Sequence, residues 1–144
     1  MKYPILVFLL LSCLLCDELN DTITCINSYI SSYKGKMSSQ LFDILVKAFP
    51  NTMSTTVQHY NISTPGQEST YIITGDIEAM WLRDSTNQFI PYIRMPNNCT
   101  HIPALTRGIL NTQAEFLMVD PYTNAFKRFE GSTNKRPSYL NDIS

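Results

Sequence analysis

The chain has 144 residues, a length that fits one domain. Its 11 Lys and Arg nearly balance its 12 Asp and Glu, so the net charge of −1 gives no basis for a nucleic-acid partner. With 44% apolar and 16% charged residues, the composition also argues against an intrinsically disordered chain. We therefore expect a folded domain that does not bind nucleic acid.

The N-terminus has the pattern of a secretory signal peptide. Lys2 precedes an apolar run over residues 5–15 that only Ser12 and Cys13 interrupt. As a helix this run would rise about 16 Å, roughly half of a bilayer core, so we expect no stable membrane span. We predict a cleavable signal peptide over residues 1–16 and a mature protein that is secreted or held in the lumen of the secretory pathway. An uncleaved signal anchor and a lipoprotein signal remain as alternatives.

The cysteines and asparagines of the mature chain suit that compartment. Removal of the signal peptide leaves Cys25 and Cys99, the number expected for one disulfide bond, although two free thiols fit the sequence equally well. Three Asn-x-Ser/Thr sequons lie in polar stretches, and their asparagines are the predicted glycosylation sites: Asn20, Asn61 and Asn98. A disulfide at Cys99 would compete with glycosylation of Asn98.

Four helices and one hairpin are predicted from the spacing of apolar residues and from capping and stop signals. The predicted helices, beginning with an N-terminal lead-in helix, are residues 17–37, 40–49, 77–93 and 101–119. Between the second and third helices, residues 55–60 and 70–74 are rich in β-favouring side chains and flank a turn signal, Pro65-Gly66. These segments predict a β-hairpin with a long tip.

The third predicted helix contains the residues best suited to chemistry. Asp76 is a favourable N-cap, and a helix that begins there places Asp76, Arg83 and Asp84 on one face. A solvated helix face is the ordinary explanation of such a group. Trp81 beside the Arg83–Asp84 pair favours sugar binding, because an aromatic ring packs on the C–H groups of a sugar and charged side chains bind its hydroxyls.

The segment around these residues resembles a known family. Residues 74–85, Thr-Gly-Asp-Ile-x-Ala-Met-Trp-Leu-Arg-Asp-Ser, are similar to the signature of glycoside hydrolase family 125, the exo-α-1,6-mannosidases. Residues 49–57 are similar to the segment that precedes the hairpin in this family, and residues 120–126 to the segment after the second main helix. Glu78 stands where the family pattern leads us to expect proline, and an acidic residue there suits the start of a helix.

The resemblance implies an all-α fold, an incomplete (α/α)6 toroid with a small inserted β-hairpin. Residues 38–144 would be the N-terminal part of its catalytic domain, which is truncated in this chain. It implies inverting removal of terminal α-1,6-linked mannose from a mannose-containing oligosaccharide or N-glycan, with no metal or other cofactor. The predicted substrate-binding residues, in order of priority, are Arg83, Asp84, Asp76, Trp81, Tyr122 and Asn124. The last two are explained equally well as turn residues that follow Asp120-Pro121.

The catalytic acid and base are expected outside this chain. Inversion needs two carboxyl groups about 6.5–9.5 Å apart, and the resemblance implies that both follow residue 126. Residues 127–144 contain only Glu130 and Asp142 as acidic residues, and neither is assigned a catalytic role. A toroid of twelve helices would also need roughly 180–200 residues. We therefore expect both groups beyond Ser144 and a chain that is a fragment, inactive by itself.

Two functions of other classes remain open. The first is a truncated, non-catalytic secreted product that binds mannosides weakly or not at all. The second is a helical interaction module that binds a protein through exposed aromatic faces. The two histidines, His59 and His101, lie far apart in the sequence without further ligands near them, so no metal site is predicted.

Overall fold

The computed structural model describes residues 4–95, 99–128 and 138–139. Its helices, in chain order, are α1 (Pro4–Ser31), α2 (Ser39–Ala48), α3 (Leu82–Ile93) and α4 (Ile102–Val119), with a π-helical turn over Thr52–Thr56. Its strands are β1 (Val57–Asn61), β2 (Ser69–Ile72), β3 (Met80–Trp81), β4 (Ala125–Lys127) and β5 (Ser138–Tyr139).

The described residues form a mixed α/β structure, so the predicted all-α (α/α)6 architecture is wrong. Two small antiparallel sheets are present, one with the order β1-β2 and one with the order β3-β4-β5. In the second sheet Met80 pairs with Phe126 and Trp81 pairs with Ala125. These partners lie far apart in the sequence, and each strand has only two or three residues, so no local alternation of apolar and polar residues indicates them.

Two predicted helices and the predicted hairpin are confirmed. The ends of α2 and α4 agree with the prediction to within one residue. Ser38 is the N-cap of α2, because its side-chain oxygen accepts a hydrogen bond of 3.3 Å from the backbone N–H of Leu41. The strands β1 and β2 pair from Val57–Ile72 to Asn61–Ser69, which leaves residues 62–68 as the tip.

The predicted helix over residues 77–93 is wrong in its first five residues, because α3 begins only at Leu82. Residues 74–79 form a loop instead. Gly75 has a φ of 133°, a conformation that favours glycine. The backbone N–H and the hydroxyl of Thr74 both donate to the carbonyl of Ala79, at 3.2 and 3.3 Å, and close the loop. Asp76 therefore lies in an exposed loop and not on the face of α3.

The hydrophobic core lies where the hairpin, α3 and α4 meet and is covered by α1. Its large, fully buried apolar side chains are Ile26, Met53, Ile72, Met80, Phe89, Leu105 and Phe126. A disulfide bond between Cys25 and Cys99 joins α1 to the segment just before α4. None of the helices in the described part of the chain is both long enough and apolar enough to cross a membrane.

The last turn of α3 is held by packing as well as by its own backbone. Pro91 lies inside the helix and has no N–H to donate to the carbonyl of Asn87. The Tyr92 ring contacts Phe49 and Phe89, with centroids 5.2 and 5.5 Å apart, and its hydroxyl donates to the carbonyl of Phe49. Burial raises the pKa of Tyr92 above its usual value.

An open apolar groove of about 430 Å³ lies beside this turn, between α2 and α3. Leu41 and Ile44 of α2 line it and are 53% and 62% exposed. The apolar face of α2 therefore borders the groove, and α2 contributes only the partly buried Phe42 and Leu45 to the core.

Candidate functional site

Three segments that are separate in the sequence meet around α3. At its N-terminus, the backbone N–H of Leu82 donates to the carbonyl of Asn124 at 3.0 Å and continues the pairing of β3 with β4. At its centre, Gln88 accepts a hydrogen bond of 3.1 Å from the hydroxyl of Thr56 and donates to the carbonyl of Thr74 at 3.2 Å. Near its C-terminus, Tyr92 bonds to Phe49. The segments 49–57, 74–85 and 120–126 thus form one structural unit.

The first turn of α3 is also fixed from α4 by Gln113, a residue that the sequence analysis missed. Its side-chain amide nitrogen lies 3.1 Å from the carbonyl of Leu82, 2.9 Å from the hydroxyl of Ser85 and 2.9 Å from that of Thr86. The one available sign was its position next to Thr112, a polar residue within the apolar stripe of α4. Gln113 orients the turn that carries Arg83 and Asp84.

Arg83 and Asp84 form an ion pair in an open setting. The pair is a single contact of 3.3 Å between Nη2 and Oδ2, and the two side chains are 80% and 31% exposed. Asp84 lies in the first turn of α3, where the helix dipole stabilises a negative charge. The guanidinium group of Arg83 is therefore not buried or bound at two points by the carboxylate, and both side chains can interact with a ligand.

Trp81 lies at the end of β3, directly before this pair. Its side chain is half-buried, yet the indole N–H is shielded from solvent and has no acceptor among residues 4–95 and 99–128. Shielded indole N–H groups usually have a hydrogen-bond partner. Trp81 thus offers part of its aromatic surface at the edge of the site, whereas its N–H is closed off from a ligand.

The turn before β4 contributes Tyr122 and Asn124. Asp120 shapes this turn, because its carboxylate accepts hydrogen bonds from the backbone N–H of Tyr122 at 2.9 Å and from the hydroxyl of Thr123 at 2.8 Å. These bonds, the one from Tyr122 first, hold the pKa of the Asp120 carboxyl below its usual range. Tyr122 is 94% exposed, and Asn124 is also exposed while its carbonyl binds Leu82.

The six predicted binding residues fall into three groups. Trp81, Arg83, Asp84 and Asn124 lie at the junction of β3, α3 and β4, which we call the α3 entry. Asp76 lies in the loop before β3, and Tyr122 lies in the turn before β4. Within the described ranges, no three His, Cys, Asp or Glu side chains are grouped so that they could hold a metal ion. Of the predicted glycosylation sites, Asn98 lies outside the described residues.

A family model matches a region of the chain that includes all three segments. A model of the metal-independent α-mannosidases, glycoside hydrolase family 125, matches residues 38–142. The chain belongs to glycoside hydrolase family 125. The resemblance seen in the sequence is confirmed, and mannose-containing glycans are the substrate class of this family.

The chain is similar to the meiotically up-regulated gene 157 protein of Schizosaccharomyces pombe. It is 41% identical over 78 residues, which is 54% of this chain and 15% of that protein. The matched region is thus a small part of the relative's length.

Proposed function

We propose that the α3 entry binds the terminal mannose in an inverting exo-α-1,6-mannosidase. The observation that carries this proposal is the hydrogen bond between Leu82 and Asn124 together with the pairing of β3 and β4. This pairing brings Trp81, Arg83 and Asp84 next to the turn that holds Tyr122 and Asn124. Aromatic, charged and amide side chains are thereby collected on one open surface.

Each group has a role that follows from its chemistry. The indole ring of Trp81 packs on the C–H face of the sugar. Asp84 accepts hydrogen bonds from two neighbouring hydroxyls, and Arg83 donates to them. Because the Arg83–Asp84 contact is exposed and therefore weak, a sugar can displace it at little cost in free energy.

Catalysis itself is not assigned to this chain. An inverting enzyme needs a general acid to protonate the leaving oxygen and a general base to activate water. We propose that residues of a longer protein supply both, and that this chain supplies only sugar binding. The small share of the S. pombe relative that the match covers supports this division.

The test uses the 144-residue chain. It is titrated with methyl α-mannoside and, as a control, methyl α-galactoside, and binding is followed by NMR shifts of backbone amides. We expect saturable shifts at residues 81–84 and 122–124 with the mannoside alone. A chain that does not distinguish the two sugars would contradict the proposal and favour a non-catalytic interaction module.

Enzymatic activity is measured on the same material. Positioning residues do not supply general acid–base chemistry, so we expect no release of mannose from an α-1,6-mannobioside above a boiled control. Release of mannose would show that an acid and a base are present within the chain, and it would overturn the division of roles.

Arg83 gives the sharpest test of individual contacts. Arg83→Lys keeps the charge but loses the planar donor group, and a lost hydrogen bond to a charged group costs about 1.5–3 kcal/mol, which corresponds to a mannoside affinity lower by roughly 10- to 150-fold. Arg94→Lys is the matched control, because Arg94 is exposed at the other end of α3. Equal affinities of the two variants would remove Arg83 from the site.

The location of the protein belongs to the same proposal, which places it in the lumen of the secretory pathway or outside the cell. The disulfide between Cys25 and Cys99 supports an oxidising compartment, because such bonds are rarely maintained in the cytosol. The apolar run at residues 5–15 supports entry into that pathway.

A further inference from the structure

We infer that Asn61 is an attachment site for an N-linked glycan and that Asn20, although it lies in an equivalent sequon, is not. The inference rests on entry into the secretory pathway and is independent of mannose binding at the α3 entry. It follows from the different settings in which the fold places the two sequons.

Asn61 is the last residue of β1, where the chain enters the hairpin tip. Both Asn61 and Ser63, the two residues that define the sequon, are exposed. The side-chain oxygen Oδ1 of Asn61 accepts a hydrogen bond of 3.3 Å from the backbone N–H of Ser63. The atom engaged in this turn is thus the oxygen, whereas a glycan is attached to the amide nitrogen Nδ2. The turn therefore presents the sequon without using its reactive atom.

The tip beyond Asn61 has room for a large substituent. Residues 63–67 are all exposed. Glu68 closes the tip by accepting hydrogen bonds of 2.8 Å from the backbone N–H of Gly66 and from Nε of Arg107. A glycan on Asn61 would therefore extend into solvent while the base of the hairpin stays fixed on α4.

The sequon of Asn20 is placed differently. It lies in the middle of α1, and its Thr22 is only 1% exposed. The hydroxyl of Thr22 donates to the carbonyl of Glu18 at 2.8 Å. Because a sequon is read through its hydroxyl residue as well as its asparagine, a transferase cannot reach Thr22 once α1 has formed and packed.

The order of synthesis favours Asn61 further, because the hairpin is made before the helix on which it docks. The hairpin docks on α4 through contacts such as the 3.2 Å hydrogen bond from the N–H of Thr70 to the hydroxyl of Thr112. Those residues are 42 positions apart, and at about 5–20 residues per second their synthesis is separated by seconds. The sequon of Asn61 thus stays undocked for seconds after its synthesis.

The modification is a group transfer from a polyprenyl-diphosphate-linked oligosaccharide, supplied with its membrane-bound transferase by the secretory pathway. A bond forms between Nδ2 of Asn61 and the anomeric carbon of the first sugar. The bond from that carbon to the diphosphate oxygen breaks, and the polyprenyl diphosphate leaves with the electron pair. The amide nitrogen gives up one proton to the surrounding water, so that atoms and charge balance.

The experiment uses the whole chain, translated in the presence of microsomes from the endoplasmic reticulum. All variants carry Asn98→Gln, so that the third sequon does not contribute. The variants are Asn61→Gln, Ser63→Ala, Ser63→Thr and Asn20→Gln. Asn27→Gln is the matched control, because Asn27 is an exposed residue of α1 outside any sequon. Mass is measured before and after treatment with peptide-N-glycosidase.

We expect one enzyme-removable glycan on the parent chain. Asn61→Gln and Ser63→Ala abolish it, Ser63→Thr retains it, and Asn20→Gln and Asn27→Gln leave it unchanged. Deglycosylation in heavy-oxygen water marks the attachment site by converting that asparagine into labelled aspartate. A label at residue 20, a glycan that survives Asn61→Gln, or a parent chain without a glycan, including one that is not imported, would overturn the inference.

Discussion

Two pairs of arginine and carboxylate side chains show how differently two regions of this molecule use the same chemistry. Between the hairpin and α4, Nε of Arg107 lies 2.8 Å from Oε1 of Glu68, whose side chain is only 2% exposed. At the α3 entry, Arg83 and Asp84 are 3.3 Å apart and 80% and 31% exposed. The first pair joins two elements of the fold, whereas the second joins neighbouring residues and leaves both accessible.

The surroundings of the two pairs differ in the same way. Glu68 also binds the N–H of Gly66, and its own carbonyl accepts from the side chain of Asn111 at 2.8 Å. We call this region, residues 66–72 with residues 105–112, the hairpin–α4 contact. The α3 entry instead has the half-buried indole of Trp81 beside its pair. The position of a charged pair, and not its composition, thus separates a structural contact from a candidate binding surface.

We expect the largest loss of stability from removal of the disulfide bond that joins α1 to the segment before α4. Cys25 and Cys99 are 74 residues apart, and a bond that closes such a loop stabilises the folded state by about 4 kcal/mol. We expect the double variant Cys25→Ser, Cys99→Ser to lose that amount in urea unfolding. Reduction of the parent chain should have the same effect and should leave the double variant unchanged. A loss below 1 kcal/mol would contradict the prediction.

The hairpin–α4 contact itself is broken most directly at Gly108. A Cβ atom there would lie 2.3 Å from Oγ1 of Thr70, 2.8 Å from the carbonyl carbon of Ser69 and 2.9 Å from the backbone nitrogen of Thr70. Gly108→Ala gains about 1 kcal/mol of helix propensity, but overpacking costs up to about 3 kcal/mol because two of these atoms are backbone. We expect a net loss of about 2 kcal/mol in urea unfolding.

Leu110→Ala is the control for this substitution, since Leu110 lies on the same helix and is 60% exposed. It should change the free energy of unfolding by less than about 0.5 kcal/mol. If Gly108→Ala changed the free energy of unfolding no more than this control does, α4 could not lie as close to β2 as the structure shows.

The ion pair of the hairpin–α4 contact predicts a stability that falls in acid. Arg107 first, and then hydrogen bonds from backbone N–H groups, hold the pKa of Glu68 below its ordinary value. Because the unfolded chain binds this proton more readily, the stability from Glu68 is fully present above the ordinary glutamate pKa. It is lost as pH falls through the lowered pKa of the folded state.

The measurement is the free energy of unfolding of the parent chain and of Glu68→Gln between pH 7 and pH 3. The difference between the two proteins should shrink as the pH is lowered. Glu115→Gln, on an exposed residue of α4, controls for the removal of any carboxylate. A difference that is the same at both pH values would rule out an ionic role of Glu68.

The smallest effect on stability is expected at the α3 entry. An exposed ion pair such as Arg83–Asp84 contributes little to folding, so Arg83→Lys should change the free energy of unfolding by less than about 0.5 kcal/mol. Arg107→Lys should lower stability by more, because lysine cannot reproduce the contact that Nε makes with Glu68. Equal losses in the two variants would erase the distinction between the two pairs.

The sequence predicted those elements whose signals are local. The boundaries of α2 and α4 follow from a serine cap, the position of prolines and a regular apolar stripe. The hairpin follows from β-favouring residues on both sides of Pro65-Gly66. The family was recognisable because three short segments kept their order and spacing, although nothing in them indicates that they meet around α3.

The start of α3 shows what local signals miss. Asp76 has the chemistry of an N-cap, but the pairing of Met80 with Phe126 extends the chain up to Trp81 and delays the helix to Leu82. That pairing depends on residues far along the sequence. The glycine at position 75, with its positive φ, was the available sign that the chain turns here before the helix begins.

Pro91 divides α3 into two parts that respond differently to local opening. Gln113 ties the first turn to α4, whereas the last turn lacks the hydrogen bond from residue 91 to Asn87 and depends on Tyr92 beside the open groove. Local fluctuations of the folded protein should therefore begin at the groove and stop before the first turn of α3. Amide hydrogen exchange that is faster at residues 92–95 than at residues 86–89 would reveal this boundary, across which the groove can fluctuate without disturbing the α3 entry.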